Sequence, residues 1–165
     1  MDGSPPTERF DAQLGALVQA RAEGLIDGIG LSNISIDHLH RAVDQTEIAR
    51  VQNMFILADQ RSLELLNDCT SRGIAFVPFC PLGWRRGVQN EILTSPVLAN
   101  IGARLDATPA QLALAWLLDL APNVLLIHGT RTRAHLADNI RSATIHLDDP
   151  ARAELARHVP TIATA

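Results

Sequence analysis

Four short apolar stretches each run into residues able to bind a polar ligand. The stretch Ile26–Leu31 leads to Ser32-Asn33, and the one near Ile48 leads to Gln52-Asn53. Ile74–Phe79 leads to Cys80-Pro81-Leu82-Gly83, and Asn123–Ile127 leads to His128-Gly129-Thr130. Amide and hydroxyl side chains at neighbouring strand ends can hydrogen-bond a carboxamide, which both donates and accepts. A flat ring such as Phe79 can stack on a heteroaromatic such as pyridine. For any single Asn or Gln, tying down its own loop is an adequate account; four segments ending this way together favour a ligand. Gly129-Thr130-Arg131-Thr132-Arg133 combines backbone N–H groups, hydroxyls and guanidinium groups ahead of a helix, which suits phosphate. Its plain alternative is a Thr132 N-cap with both arginines in solvent.

Other chemistry is excluded or weak. The chain has no tyrosine, and all 14 of its basic residues are arginine. It therefore lacks a phenol and a side-chain amine for acid–base work. His38-x-His40 falls on one predicted helix, where positions two apart face different ways, so two surface histidines are expected rather than a metal pair. Cys80 stands close in sequence to Arg85 and Arg86, which would favour its thiolate, but a buried thiol is the expected reading. Trp84-Arg85-Arg86 either covers a phosphate group or simply packs at the surface.

The elements that must hold these residues alternate. A helix is expected over Glu8–Glu23, with Phe10, Leu14, Leu17 and Val18 on one face and Gly24 at its end. Ser35 caps the next helix, and Arg61–Ser71 forms another with Leu63, Leu66 and Cys69 inward. Residues 80–90 read as a loop. Ser95-Pro96 and Thr108-Pro109 start two further helices, a hydroxyl cap followed by proline being a strong start signal. Thr132 caps a helix running to about Ser142, and Asp149-Pro150 opens the last. Strand–helix alternation without hairpin turns predicts an α/β fold with a parallel sheet covered by helices. The first strand lacks a G-x-G-x-x-G turn, which lowers the doubly wound reading.

Composition agrees with one domain. Of 165 residues, 47% are hydrophobic and 19% charged, enough apolar material for a core. A net charge of -4 favours neither nucleic acid nor an anionic membrane as partner. No apolar run approaches the roughly 18 residues of a membrane span, and MDGSPPTERF is not patterned as a secretory leader. Two cysteines make no disulfide framework, so a cytoplasmic protein with free thiols is expected. The whole chain, 1–165, reads as a single domain, with 1–7 and 160–165 as flexible tails.

Five segments in order resemble the aldo-keto reductases: Gly24–Ser35 (GLIDGIGLSNIS), Val51–Ser62 (VQNMFILADQRS), Gly73–Gly83 (GIAFVPFCPLG), Ala107–Leu118 (ATPAQLALAWLL) and Asn123–Ile140 (NVLLIHGTRTRAHLADNI). The resemblance implies the C-terminal half of a (β/α)8 barrel, a TIM barrel, with four parallel strands corresponding to the family's fifth to eighth. It implies that Ser32, Asn33 and Gln52 hold the nicotinamide carboxamide of NADP and that Phe79 stacks on its ring. The segment Cys80, Pro81, Leu82 and Gly83 would lie along the pyrophosphate. Gly129, Thr130 and Arg131 would face the 2′-phosphate, His135 would stand near the same end, and Asp138 and Asn139 would meet the adenine. Where many members have arginine this chain has His135, which weakens the case for a strong NADP preference.

The family's catalytic Asp, Tyr, Lys and His come from the first half of its barrel, and the resemblance finds no match for them here. No catalytic residue is therefore assigned. A full β/α barrel takes about 250 residues, so four strands leave two open sheet edges. Self-association or closure by a complementary half-barrel chain is expected. Three functions compete: an aldo-keto reductase fragment for NADPH-dependent carbonyl reduction, a non-catalytic NADP-binding or sensing module, and a structural remnant.

Overall fold

The first helix, α1 (Thr7–Ala22), buries Phe10 and Leu14 along one face. It stops at Gly24, whose φ of +74° is open to a residue without a Cβ. Leu25 N–H then donates to Ala20 C=O and Gly24 N–H to Arg21 C=O, satisfying carbonyls left bare at the helix end. Gly73 closes a later helix in the same way, at φ +69°. These details come from a computed structural model, which describes residues 5–83 and 86–158.

Three parallel strands follow in sheet order β1 (Gly30–Ser32), β2 (Arg50–Met54) and β3 (Ala75–Phe79). Between them lie α2 (Ile36–Val43) and α3 (Leu63–Ser71). Ser35 caps α2 in a reciprocal box: its hydroxyl accepts from His38 N–H, and His38 Nδ1 faces the Ser35 backbone N–H. The register pairs Ser32 with Gln52 and Gln52 with Val77, so these three share one face of the sheet. Leu31, Val51 and Phe76 point the other way, into the core. Phe76 meets Phe55 edge-on at 6.1 Å, and Phe55 stacks on Trp116 at 5.9 Å.

Beyond β3 the chain forms α4 (Arg86–Leu93), α5 (Pro96–Leu105) and α6 (Pro109–Leu120). α7 (Arg133–Arg141), a 3-10 turn (Ser142–Thr144) and α8 (Asp149–His158) complete the described chain. Ser95 and Thr108 both cap as their hydroxyl-proline pairs predict. α6 is buried along much of its length, from Gln111 to Leu117.

Several expectations change. Among the described residues the sheet has three strands rather than four: the segment predicted as the fourth touches β3 through one parallel bridge, Phe76 to Val124. Phe76 N–H donates to Asn123 C=O and Leu125 N–H donates to Phe76 C=O, after which the ladder ends. The first strand is confined to Gly30–Ser32, because the preceding glycine-containing stretch pairs only where Ile29 C=O accepts from Ala49 N–H. α4 spans 86–93, so helix replaces the second half of the loop expected over 80–90. Leu63 is 40% exposed, and Leu65 joins Leu66 and Cys69 on the inner face of α3. Residues 1–4 and 159–165, within or beside the expected tails, lie outside the described residues, and α1 already begins at Thr7. No helix among the described residues is long and apolar enough to cross a membrane.

Among the described residues no strand pairs with the outer side of β1. An apolar groove of about 450 Å³ runs there between α1 and β1, lined by Phe10, Leu14, Leu17, Leu31 and Ile34. The side chain of Arg50 lies across Gly30 so closely that a Cβ on residue 30 would stand 2.9 Å from Arg50 Cγ.

Candidate functional site

Parallel order fixes where the polar tips go. The C-terminal ends of β1, β2 and β3 lie at one end of the sheet, and the segment after Val124 runs in the same direction. Ser32 is exposed, and its register partner Gln52 is half-buried on the same face. Phe79 is half-buried and pairs with Met54, one step nearer the strand ends. Ser32, Gln52 and Phe79 are thus brought together along the face opposite Leu31 and Val51. A hydroxyl, a primary amide and a ring set in this order offer donors, acceptors and an apolar surface to a polar heteroaromatic.

Asn33 leaves β1 with φ +54°, a left-handed conformation that asparagine tolerates better than most residues. Its N–H donates to Gln52 C=O at 2.9 Å, extending the ladder one residue past the strand. Beside it Asn53, which is 7% exposed, pairs with the Ile34 backbone through both ends of its amide. A cavity of about 340 Å³ adjoins this corner between the amino ends of α2 and α3, lined by Asn33, Ser35, Asn53, Arg61 and Ser62. Arg61 is anchored there by Asp59, with Nη2 2.6 Å from Oδ2. Burial alone would raise the Asp59 carboxyl, but its hydrogen bonds and charge pairing with Arg61 hold it below the usual carboxylate range.

The next segment makes a tight turn. Cys80 is exposed at φ +50°, Pro81 is buried, and Leu82 and Gly83 are half-buried. Gly83 N–H donates to Cys80 C=O at 2.7 Å, so that amide is already engaged within the turn. The expectation of a buried Cys80 thiol is therefore corrected: a turn at a strand end carries it outward, and Cys69 is the buried cysteine. Trp84 and Arg85, for which phosphate cover and surface packing were both open readings, lie outside the described residues, and Arg86 opens α4.

On the fourth segment, Gly129, Thr130 and Arg131 are all exposed. Thr132 caps α7 by accepting from His135 N–H at 3.2 Å, and Thr130 Oγ1 accepts from Thr132 N–H at 3.3 Å. His135 and Asp138 are exposed and Asn139 is half-buried, all on α7, a helix with no buried residue. α7 is held instead by Gln111, which is 2% exposed and donates from Nε2 to Asp138 C=O at 3.1 Å. His128 precedes this turn with its Nδ1 buried and unpartnered, and burial pushes its pKa down. Neither Asn53 nor Gln111 stood out in the sequence as holding the site together. The signal for Gln111 was available, as a Thr-Pro-x-Gln capping box.

The histidine pair separates as predicted, but His38 is buried against Phe10, ring centres 4.4 Å apart, rather than exposed. His40 Nε2 lies 3.3 Å from Asp68. Among the described residues no group of three or more His, Cys, Asp or Glu is placed to hold a metal ion.

The sequence model of the Aldo/keto reductase family matches residues 2–159. The chain belongs to this family. It is 39% identical over 149 residues to pyridoxine 4-dehydrogenase of Escherichia coli, covering 90% of this chain and 50% of that protein. It is 32% identical to a probable aldo-keto reductase of Glycine max, covering 97% of this chain and 53% of the relative. Among solved structures, an aldo/keto reductase from Klebsiella pneumoniae in complex with NADP and acetate superposes with a TM-score of 0.79 at 26% identity, over 92% of this chain and 54% of that one. A thermostable aldo-keto reductase in complex with epalrestat gives the same TM-score at 27% identity, over 93% and 57%. The chain thus spans about half the length of the family relatives it matches.

Proposed function

We propose that this chain is the nucleotide-binding, C-terminal half of an aldo-keto reductase barrel, and that it binds NADP(H) without reducing carbonyls by itself. The observation carrying this reading is the register row of Ser32 and Gln52, with Asn33 beside it and Phe79 on the same face. Ser32, Asn33 and Gln52 would hold the carboxamide and Phe79 would flank the ring. Cys80, Pro81, Leu82 and Gly83 would follow the pyrophosphate, with Gly83 contributing shape rather than its engaged N–H. Gly129, Thr130 and Arg131 would take the 2′-phosphate, with His135, Asp138 and Asn139 toward the adenine. When bound, the dinucleotide supplies hydride. The chain has no tyrosine and no lysine to serve as proton donor and its tuner.

The five family-like segments run collinearly through the chain, and its relatives are about twice its length. Both facts support the half-barrel reading, with self-association or a complementary half covering the open edges. Two unpaired thiols support a cytoplasmic setting. Titrating NADPH fluorescence with the full chain tests binding: saturable enhancement is expected, and no response at millimolar cofactor removes the proposal. An aldehyde-dependent loss of NADPH absorbance by the purified chain alone would overturn the second part.

A further inference from the structure

We infer that Asn53, though it faces away from the proposed cofactor, is the positioning residue that sets the turn presenting Asn33 to it. This rests on the NADP(H) reading for its consequence in binding, but its structural part stands by itself. β2 alternates, so Gln52 and Met54 lie on one face while Val51 and Asn53 lie on the other, against the helices. Asn53 therefore cannot join Ser32 and Gln52 on their row. A primary amide buried on the apolar face of a strand is costly unless both its ends are satisfied. Here one backbone unit satisfies both: Oδ1 accepts from Ile34 N–H at 3.0 Å, and Nδ2 donates to Ile34 C=O at 2.8 Å. The side chain imitates a neighbouring strand for the one residue after β1 has ended.

The residue so clamped immediately follows Asn33. On its other side, Asn33 N–H is held by Gln52 C=O at 2.9 Å. Left-handed Asn33 thus sits between two fixed points, a ladder bond before its Cα and the Asn53 clamp after it. One residue further, Ser35 caps α2, so the clamp also sets where that helix begins. With the clamp removed, residue 33 returns to the ordinary right-handed or extended range, and the backbone that carries it past Ser32 and Gln52 changes course.

The test pairs NMR of the full chain with NADPH titration, for wild type, Asn53→Ala, Asn53→Asp and the core control Leu155→Ala. Leu155 is buried on α8, which packs against α5. Asn53→Asp keeps an acceptor for Ile34 N–H but faces Ile34 C=O without a donor, and it serves if the alanine variant fails to fold. In both Asn53 variants Asn33 should lose the Cα shift and amide coupling of a left-handed residue, and in Asn53→Ala, which leaves Ile34 N–H without its acceptor, that amide should exchange faster. The NADPH dissociation constant should rise roughly tenfold, the scale of losing one or two buried hydrogen bonds. Leu155→Ala should lower Tm without moving any of these. Retention of the left-handed signals in both Asn53 variants, or an affinity loss no greater than in Leu155→Ala, overturns the inference. If wild type takes up no NADPH, the cofactor reading falls and the NMR data alone decide whether Asn53 sets the turn.

Discussion

The two cysteines occupy opposite environments, and their reactivity should differ accordingly. Cys69 is wholly buried in α3, and burial, reinforced by the Asp68 charge, pushes its thiol up to about 12 from an ordinary 9.0. Cys80 is exposed at the turn after β3. A thiol reagent on the native protein should titrate one group, absent in Cys80→Ala, with the second appearing only in denaturant. The raised Cys69 pKa also gives a sign for alkaline stability. Above about pH 9 the unfolded chain releases this proton and the folded chain keeps it, so stability falls with pH until about 12. Cys69→Ala should flatten that slope in urea melts. For the proposed carboxamide row of Ser32 and Gln52, Gln52→Ala should raise the NADPH dissociation constant by about three- to tenfold, the worth of one hydrogen bond, with little change in Tm. Ser32, Gln52 and Phe79 were legible as polar or aromatic strand ends. The division of labour between Gln52 and Asn53 was not, because a one-residue shift in register exchanges the two faces.

Among the elements, the segment after α6 is held by side chains as well as by its one bridge to the sheet. Asn123 Nδ2 donates to Ile74 C=O at 2.8 Å, and Thr70 Oγ1 donates to Asn123 Oδ1 at 2.9 Å. With a single bridge to β3, this pair of contacts anchors the approach to Gly129 and Thr130. Asn123→Ala should cost about 1–3 kcal/mol, the penalty for leaving partly buried partners unsatisfied, and should speed hydrogen exchange at Leu125 N–H. Equal exchange in variant and wild type would count against this anchoring. The helices with hydroxyl or serine-proline caps were plain from sequence. α4 was not, since it follows Gly83 and includes Gly87, features that read as loop. The fourth segment, predicted as a strand, does not form one: an apolar run records burial pressure and does not count hydrogen bonds. Leu125 and Ile127 in that run are in fact 54% and 57% exposed.

At the scale of the molecule, apolar side chains stand open on the flank beyond β3. Leu125 and Ile127 share one side of the fourth segment, while Leu136 and Ile140 are one turn apart on α7 and also exposed. At the other flank lies the groove between α1 and β1. Sedimentation at rising concentration should therefore show masses above that of a single chain, and Ile127→Asp with Ile140→Asp should return it toward monomer. A concentration-independent monomer would refute this. Alternation of strand and helix made the parallel sheet readable, whereas the closure of its flanks depends on atoms beyond any local pattern. Because residue 30 has no side chain, the Arg50 side chain is free to lie over the backbone of the outermost strand, on the face shared with Ser32 and Gln52. A charged side chain on an edge strand discourages a foreign strand from adding beside it, the hazard that unpaired edges create. Gly30→Val would push that side chain aside, and its first symptom should be precipitation during purification rather than any change in nucleotide affinity.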